Sequence, residues 1–98
     1  MMHEDTRKEL ERLLAVVEEK LATLPTFTWE TRSQHTSALD RVRGQLERSE
    51  GARFRDGSGG NTIVLLAGVR SSSVMGAEFA LRNWIKATRD LLQLGASS

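Results

Sequence analysis

The sequence predicts an α+β fold in the order helix, helix, β-hairpin, helix, with the helices packed on a small antiparallel sheet. Three observations predict it. Leu10, Leu14, Val17, Leu21 and Leu24 recur at steps of four and three, the seam of an amphipathic helix. A glycine-rich turn over 57–61 separates the alternating stretch 52–56 from the β-branched apolar run 62–67, which is the pattern of a hairpin. A long amphipathic segment, 77–94, then closes the chain.

Each element follows from local chemistry. Thr6-x-x-Glu9 resembles a capping box for the first helix, and Leu13 widens its apolar stripe. Pro25 ends that helix, because the residue before a proline is pushed out of the α region. Thr28 is a candidate cap for the second helix, which is clearest over 37–50 with Leu39, Val42 and Leu46 on one face and Gly51 as its stop. If the helix begins as early as Trp29, Arg32 and His35 fall on its inward line and need polar partners. Otherwise 29–34 is loop. The run 62–67 suits a strand buried on both faces. Helices can cover one of those faces, and a second subunit's hairpin is the expected cover of the other.

The last helix is expected from Val74 or Met75 to about Leu94, with Gly76 in its first turn and Gly95 closing it. Glu78, Arg82, Lys86, Arg89 and Gln93 form the wet face. Ala77, Leu81, Trp84, Thr88 and Leu91 face inward, joined by Ala80, Ile85, Ala87 and Leu92.

With 98 residues the chain is read as one domain, 1–98, whose ends 1–5 and 95–98 fray. Fourteen basic against thirteen acidic residues give a net charge of +1, a poor footprint for duplex nucleic acid. Cysteine is absent, which removes thiol chemistry and Cys-based zinc sites. The charged N-terminus lacks an apolar signal core and no run is long enough to span a bilayer, so a soluble, cytoplasmic protein is expected. No histidine or carboxylate cluster calls for a metal or other cofactor. No Walker loop or dinucleotide fingerprint is present. A triad drawn from Ser71–Ser73, His35 and Asp40 has no support in spacing, so an enzyme is not expected.

A binding site is the stronger reading. Residues 68–76 look like a tight serine-rich turn between strand and helix, where Arg70, Ser71, Ser72 and Ser73 would hold an anion at a helix start. The plainer alternative is that these serines only cap the helix. Trp29, Arg32, Gln34 and His35 form a second polar cluster, with Asn83 and Trp84 further along the last helix. A tryptophan face stacks on a base, so two meeting helix starts would make a pocket for a small phosphorylated or nucleotide ligand. The alternatives are core packing for Trp84 and a hydrophobic staple for Trp29.

Thr26-Phe27-Thr28-Trp29-Glu30-Thr31-Arg32-Ser33-Gln34-His35, Leu66-Ala67-Gly68-Val69-Arg70-Ser71-Ser72-Ser73 and Ala80-Leu81-Arg82-Asn83-Trp84-Ile85 resemble segments of small accessory proteins encoded by tailed phages and prophages. The resemblance covers most of the chain and carries no defined activity. It implies a non-enzymatic counter-defence role in the host cytoplasm. One form is a homo-oligomer that sequesters a nucleotide ligand. The alternative is a protein–protein inhibitor of a host defence complex, as anti-CRISPR proteins are; a nucleic-acid-binding regulator ranks third.

Overall fold

The computed structural model describes residues 3–97 and is an α+β fold. Its order is α1 (Glu4–Ala22), α2 (Arg32–Glu50), β1 (Arg53–Asp56), a single 3-10 turn (Ser58–Gly60), β2 (Thr62–Leu66), β3 (Val69–Ser73) and α3 (Ala77–Ser97). The three strands form one antiparallel sheet in the order β1-β2-β3. α3 lies against β2 and β3, and α1 packs on α3.

The core draws on every layer. Leu10, Leu13, Val17 and Leu21 of α1 meet Val42 and Leu46 of α2, Val64 and Leu66 of β2, Val69 of β3, and Ala80, Leu81, Trp84 and Ile85 of α3. Leu13, expected only to widen the seam, is fully in the core, while Leu14 is half-buried at its edge. Trp84 is completely buried, and its indole N–H donates to the Leu66 carbonyl at 3.1 Å. Polar groups bind the helices at the rim: Arg12 holds both Glu9 and Glu50 at 2.6 Å, and Lys20 donates to Gln45 at 2.9 Å.

Several boundaries differ from the sequence reading. α1 starts at Glu4, capped by the His3 ring, whose Nδ1 accepts from the Asp5 N–H at 3.2 Å, so Thr6 lies inside the helix. Glu4 and Asp5 are therefore helical; residues 1, 2 and 98 of the expected frayed ends lie outside the described residues. α2 starts at Arg32, earlier than its clearest stretch, because Thr28 and Thr31 bond reciprocally and wind the chain into it. Gly51 ends α2 as expected, at φ 72°. At the other end α3 runs through Gly95 to Ser97, and Leu91 is exposed where Leu92 is buried.

The main correction concerns 68–76. The serines do not form a turn at a helix start; Val69–Ser73 is a third strand. Ala67 and Gly68 form a two-residue hairpin loop with φ of 53° and 79°. Positive φ at both positions matches the right-handed twist of the flanking strands. Gly76 sits outside α3 at φ 100°, a conformation that favours glycine, and its carbonyl accepts the N–H of Ala80 at 3.0 Å.

Two substitutions test this packing. Ala67 holds a left-handed conformation that Asn tolerates better, and Asn-Gly is the favoured pair for such a loop. Ala67→Asn is expected to raise stability by about 0.5–1 kcal/mol, read as a higher urea midpoint at unchanged slope; an unmoved midpoint would count against strain there. Thr88 is fully buried in α3, and its hydroxyl has no hydrogen-bond partner among the described residues. Thr88→Val keeps the shape and removes the desolvated hydroxyl, so a gain of about 1 kcal/mol is expected in the same measurement, and a loss would reveal a hidden partner.

Candidate functional site

Side chains alternate along a strand, so the register divides the sheet into two faces. Thr62, Val64 and Leu66 are buried on the helix side. Ile63 and Leu65 point the other way, where Leu65 is 39% exposed. The helices therefore cover one face of β2 and leave the other open.

The open face carries a particular arrangement. Leu65 lies between Arg53 on β1 and Arg70 on β3. In the next row Ile63 lies between Arg55 and Ser72. Directly opposed side chains in a sheet sit about 5 Å apart, so three guanidinium groups surround two aliphatic side chains. The face forms a shallow cavity of about 510 Å³, with Glu47 of α2 at its rim. All three arginines are exposed, and none makes an ion pair or hydrogen bond among the described residues. Elsewhere Arg7, Arg12, Arg43, Arg82 and Arg89 each hold a carboxylate.

Neighbouring contacts set this geometry. The Arg43 guanidinium lies 4.9 Å over the Phe54 ring and 3.3 Å from the Asp56 carboxylate. Thr62 donates to the same carboxylate at 3.0 Å. With Phe54 and Asp56 clamped toward α2, Arg53 and Arg55 must face outward. On the far edge, the two-residue loop makes Leu66 and Val69 a hydrogen-bonded pair, so Arg70 and Ser72 turn their backbone groups to the free edge. The Asn83 amide donates to the Ser72 carbonyl at 2.9 Å and so occupies part of that edge. The face, more than the edge, is open to a partner.

A second site lies where the two helix starts meet. His35 Nε2 is 2.8 Å from Glu78 Oε1, and both side chains are largely buried. Arg82 takes the other Glu78 oxygen at 2.7 Å. The Phe27 ring meets the His35 ring edge-on at 5.2 Å. Leu39, Met75 and Phe79 complete a mainly apolar cavity of about 530 Å³. Glu78, expected on the wet face, turns inward to supply the polar partner that a buried His35 requires. His35 is engaged by Glu78 and Phe27, and Asp40 lies exposed further along α2, so the triad drawn from the sequence is not assembled.

The ten predicted site residues fall into separate places. Arg70 and Ser72 share the open face, while Ser71 and Ser73 sit on the opposite side of β3. Ser73 closes a local turn and does not cap α3: its hydroxyl accepts the N–H of Met75, which lies before the helix, at 3.0 Å. Trp84 is core, and its indole is closed to a ligand. Trp29 is 79% exposed and acts as no staple; Arg32 stacks 4.5 Å over its ring. Gln34 is exposed on α2, His35 is buried, and Asn83 guards the edge of β3. The residues that the sequence reading passed over are Arg53, Arg55, Ile63, Leu65 and Glu78. Arg53 and Arg55 had a legible signal, since residues two apart in a strand share a face.

No group of three potential metal ligands occurs among the described residues, and none of their helices is long and apolar enough to cross a membrane. No known family, curated protein or solved structure matches the chain.

The Asp56 clamp gives a pH test. The Thr62 hydroxyl first, and Arg43 second, hold the Asp56 carboxyl below its usual range. Its contribution to stability is therefore complete above the unfolded value, near pH 4, and is lost as pH falls through the lower folded value. Urea midpoints of the parent and Asp56→Asn should differ modestly at neutral pH, because the pair is solvent-screened, and converge below about pH 4. A gap constant down to low pH would remove the electrostatic role of the clamp.

Proposed function

We propose that this chain is a non-enzymatic binding protein whose open sheet face docks an acidic, amphipathic segment of another protein. The observation that carries this reading is the set of three unpaired arginines around Ile63 and Leu65 on a face that no helix covers. Apolar side chains of a partner would bury the two aliphatic residues. Its carboxylates would meet guanidinium groups that offer paired donors in one plane. Each exposed ion pair contributes only about 0.2–1 kcal/mol, so charge chooses the partner and its approach while apolar contact holds it.

Single-stranded nucleic acid fits less well. Stacking on aromatic side chains supports such binding, and the aromatic that reaches this cavity, Phe54, is half-buried beneath the Arg43 guanidinium. The resemblance to phage accessory proteins suggests a purpose: stoichiometric occupation of a surface on a host defence protein. A second reading, the phosphorylated or nucleotide ligand, is favoured by one observation. Arg70 and Ser72 share the open face with Arg53 and Arg55, so the same rows offer an anion site.

One experiment separates them. A labelled synthetic peptide that alternates Glu and Leu is titrated by fluorescence anisotropy, and nucleotides are screened in parallel by native mass spectrometry. Peptide binding that weakens about tenfold in Arg53→Glu/Arg70→Glu, and clearly in Leu65→Ser, is expected. Peptide affinity indifferent to both variants overturns the docking reading. A retained nucleotide mass, lost in Arg70→Ala and kept in Leu65→Ser, transfers the function to the small ligand.

A further inference from the structure

Five of the large apolar side chains left exposed lie at the entries to α2 and α3, four of them before the helices and one in the first turn of α3. They are Phe27, Trp29, Val74, Met75 and Phe79, with exposures between 40% and 79%. The His35–Glu78 contact draws the two helix starts together, so these segments converge on one end of the molecule. At about 150–250 Å² for a whole aromatic side chain, and somewhat less for Val74 and Met75, their exposed fractions add to roughly 600 Å² of apolar surface. That is the upper end of what a monomer displays, and close to the ~800 Å² per partner that a stable interface hides.

We propose that this apolar end is the interface of a homodimer. A twofold interface sets a patch against itself, so any unbalanced charge in it is doubled. Here the charges balance. Glu78 is consumed by His35 and Arg82. At the edge of the patch stand Arg32, stacked on Trp29, and Glu30, opposite in sign; neither has an ion-pair partner among the described residues. A twofold axis lets Arg32 of each copy meet Glu30 of the other. The arginine face of the sheet has the opposite property, because self-docking would oppose six like charges. The second copy thus sits on the apolar end and not on the hairpin, where the sequence pattern alone places it. This inference is independent of what binds the sheet.

Sedimentation velocity on the full chain, at rising concentration, tests it. The parent should move from 10.9 kDa to twice that mass. Met75→Glu, a change at an exposed turn residue, should weaken association at least about tenfold with an unchanged circular dichroism spectrum. Leu65→Glu should leave association intact. Glu30→Arg should weaken it severalfold, and the swap Glu30→Arg/Arg32→Glu should restore it. A monomer at every concentration, a dimer indifferent to Met75→Glu, or one abolished by Leu65→Glu overturns the interface. A swap no better than Glu30→Arg alone overturns its twofold charge registry.

Discussion

The buried indole of Trp84 is the constraint on which the rest of this structure depends. A tryptophan carries the largest apolar side chain and one N–H that needs an acceptor once it leaves water. Here the acceptor is the carbonyl of Leu66, the last residue of β2. That bond pins α3 across the inner face of the sheet, beside the loop at Ala67 and Gly68. β3 then returns beneath α3, and Asn83, one residue before Trp84, reaches the outer edge of that strand. A chain of this size builds one modest core. α3 and α1 use it up on one side of the sheet, and the opposite face is left with Ile63, Leu65 and their arginines.

Much of this was legible from apolar periodicity. The leucine seam of α1, the hairpin of β1 and β2, the stop at Gly51 and the inward stripe of α3 all follow from patterns that burial imposes. β3 was not legible, for two physical reasons. Its inward positions are Val69, Ser71 and Ser73, so the alternation of polarity that marks a strand is nearly absent. Small residues there suit the close approach of α3, which is a tertiary demand invisible to a local pattern. The loop before it is Ala-Gly, which lacks the Asn or Asp that advertises a two-residue hairpin. A serine run before a helix reads equally well as a cap, though the bond that Ser73 accepts, from the Met75 N–H, closes a turn before α3.

The candidate site was legible only in fragments, because a sequence does not show which charges are already taken. The net charge of +1 is nearly neutral, yet it averages over two populations. Arg7, Arg12, Arg43, Arg82 and Arg89 are each matched to a carboxylate of their own or a neighbouring element. The arginines of the open face are matched to nothing. In the sequence Arg70 stands beside serines, but its physical company is Arg53, Leu65 and Arg55, which come from other strands. Of the two residues that an early start of α2 puts on its inward line, Arg32 is exposed and His35 is buried; the partner of His35 is a carboxylate of the chain itself, so the need for a ligand disappears.

The two exposed surfaces obey opposite symmetry rules, and this bears on how they act together. A face of unbalanced positive charge rejects its own copy and accepts an acidic one. A neutral apolar end, edged by one charge of each sign, sets no such repulsion against its own copy. Copies joined at the apolar end would therefore keep both arginine faces free. Such a pair would present two identical docking faces on one body, and the second contact with a repeated or dimeric partner would form at the effective concentration set by that body. A weak surface, built of two aliphatic side chains and three exposed guanidinium groups, gains most from such pairing, because neither burial nor ion pairing on one face alone supplies high affinity.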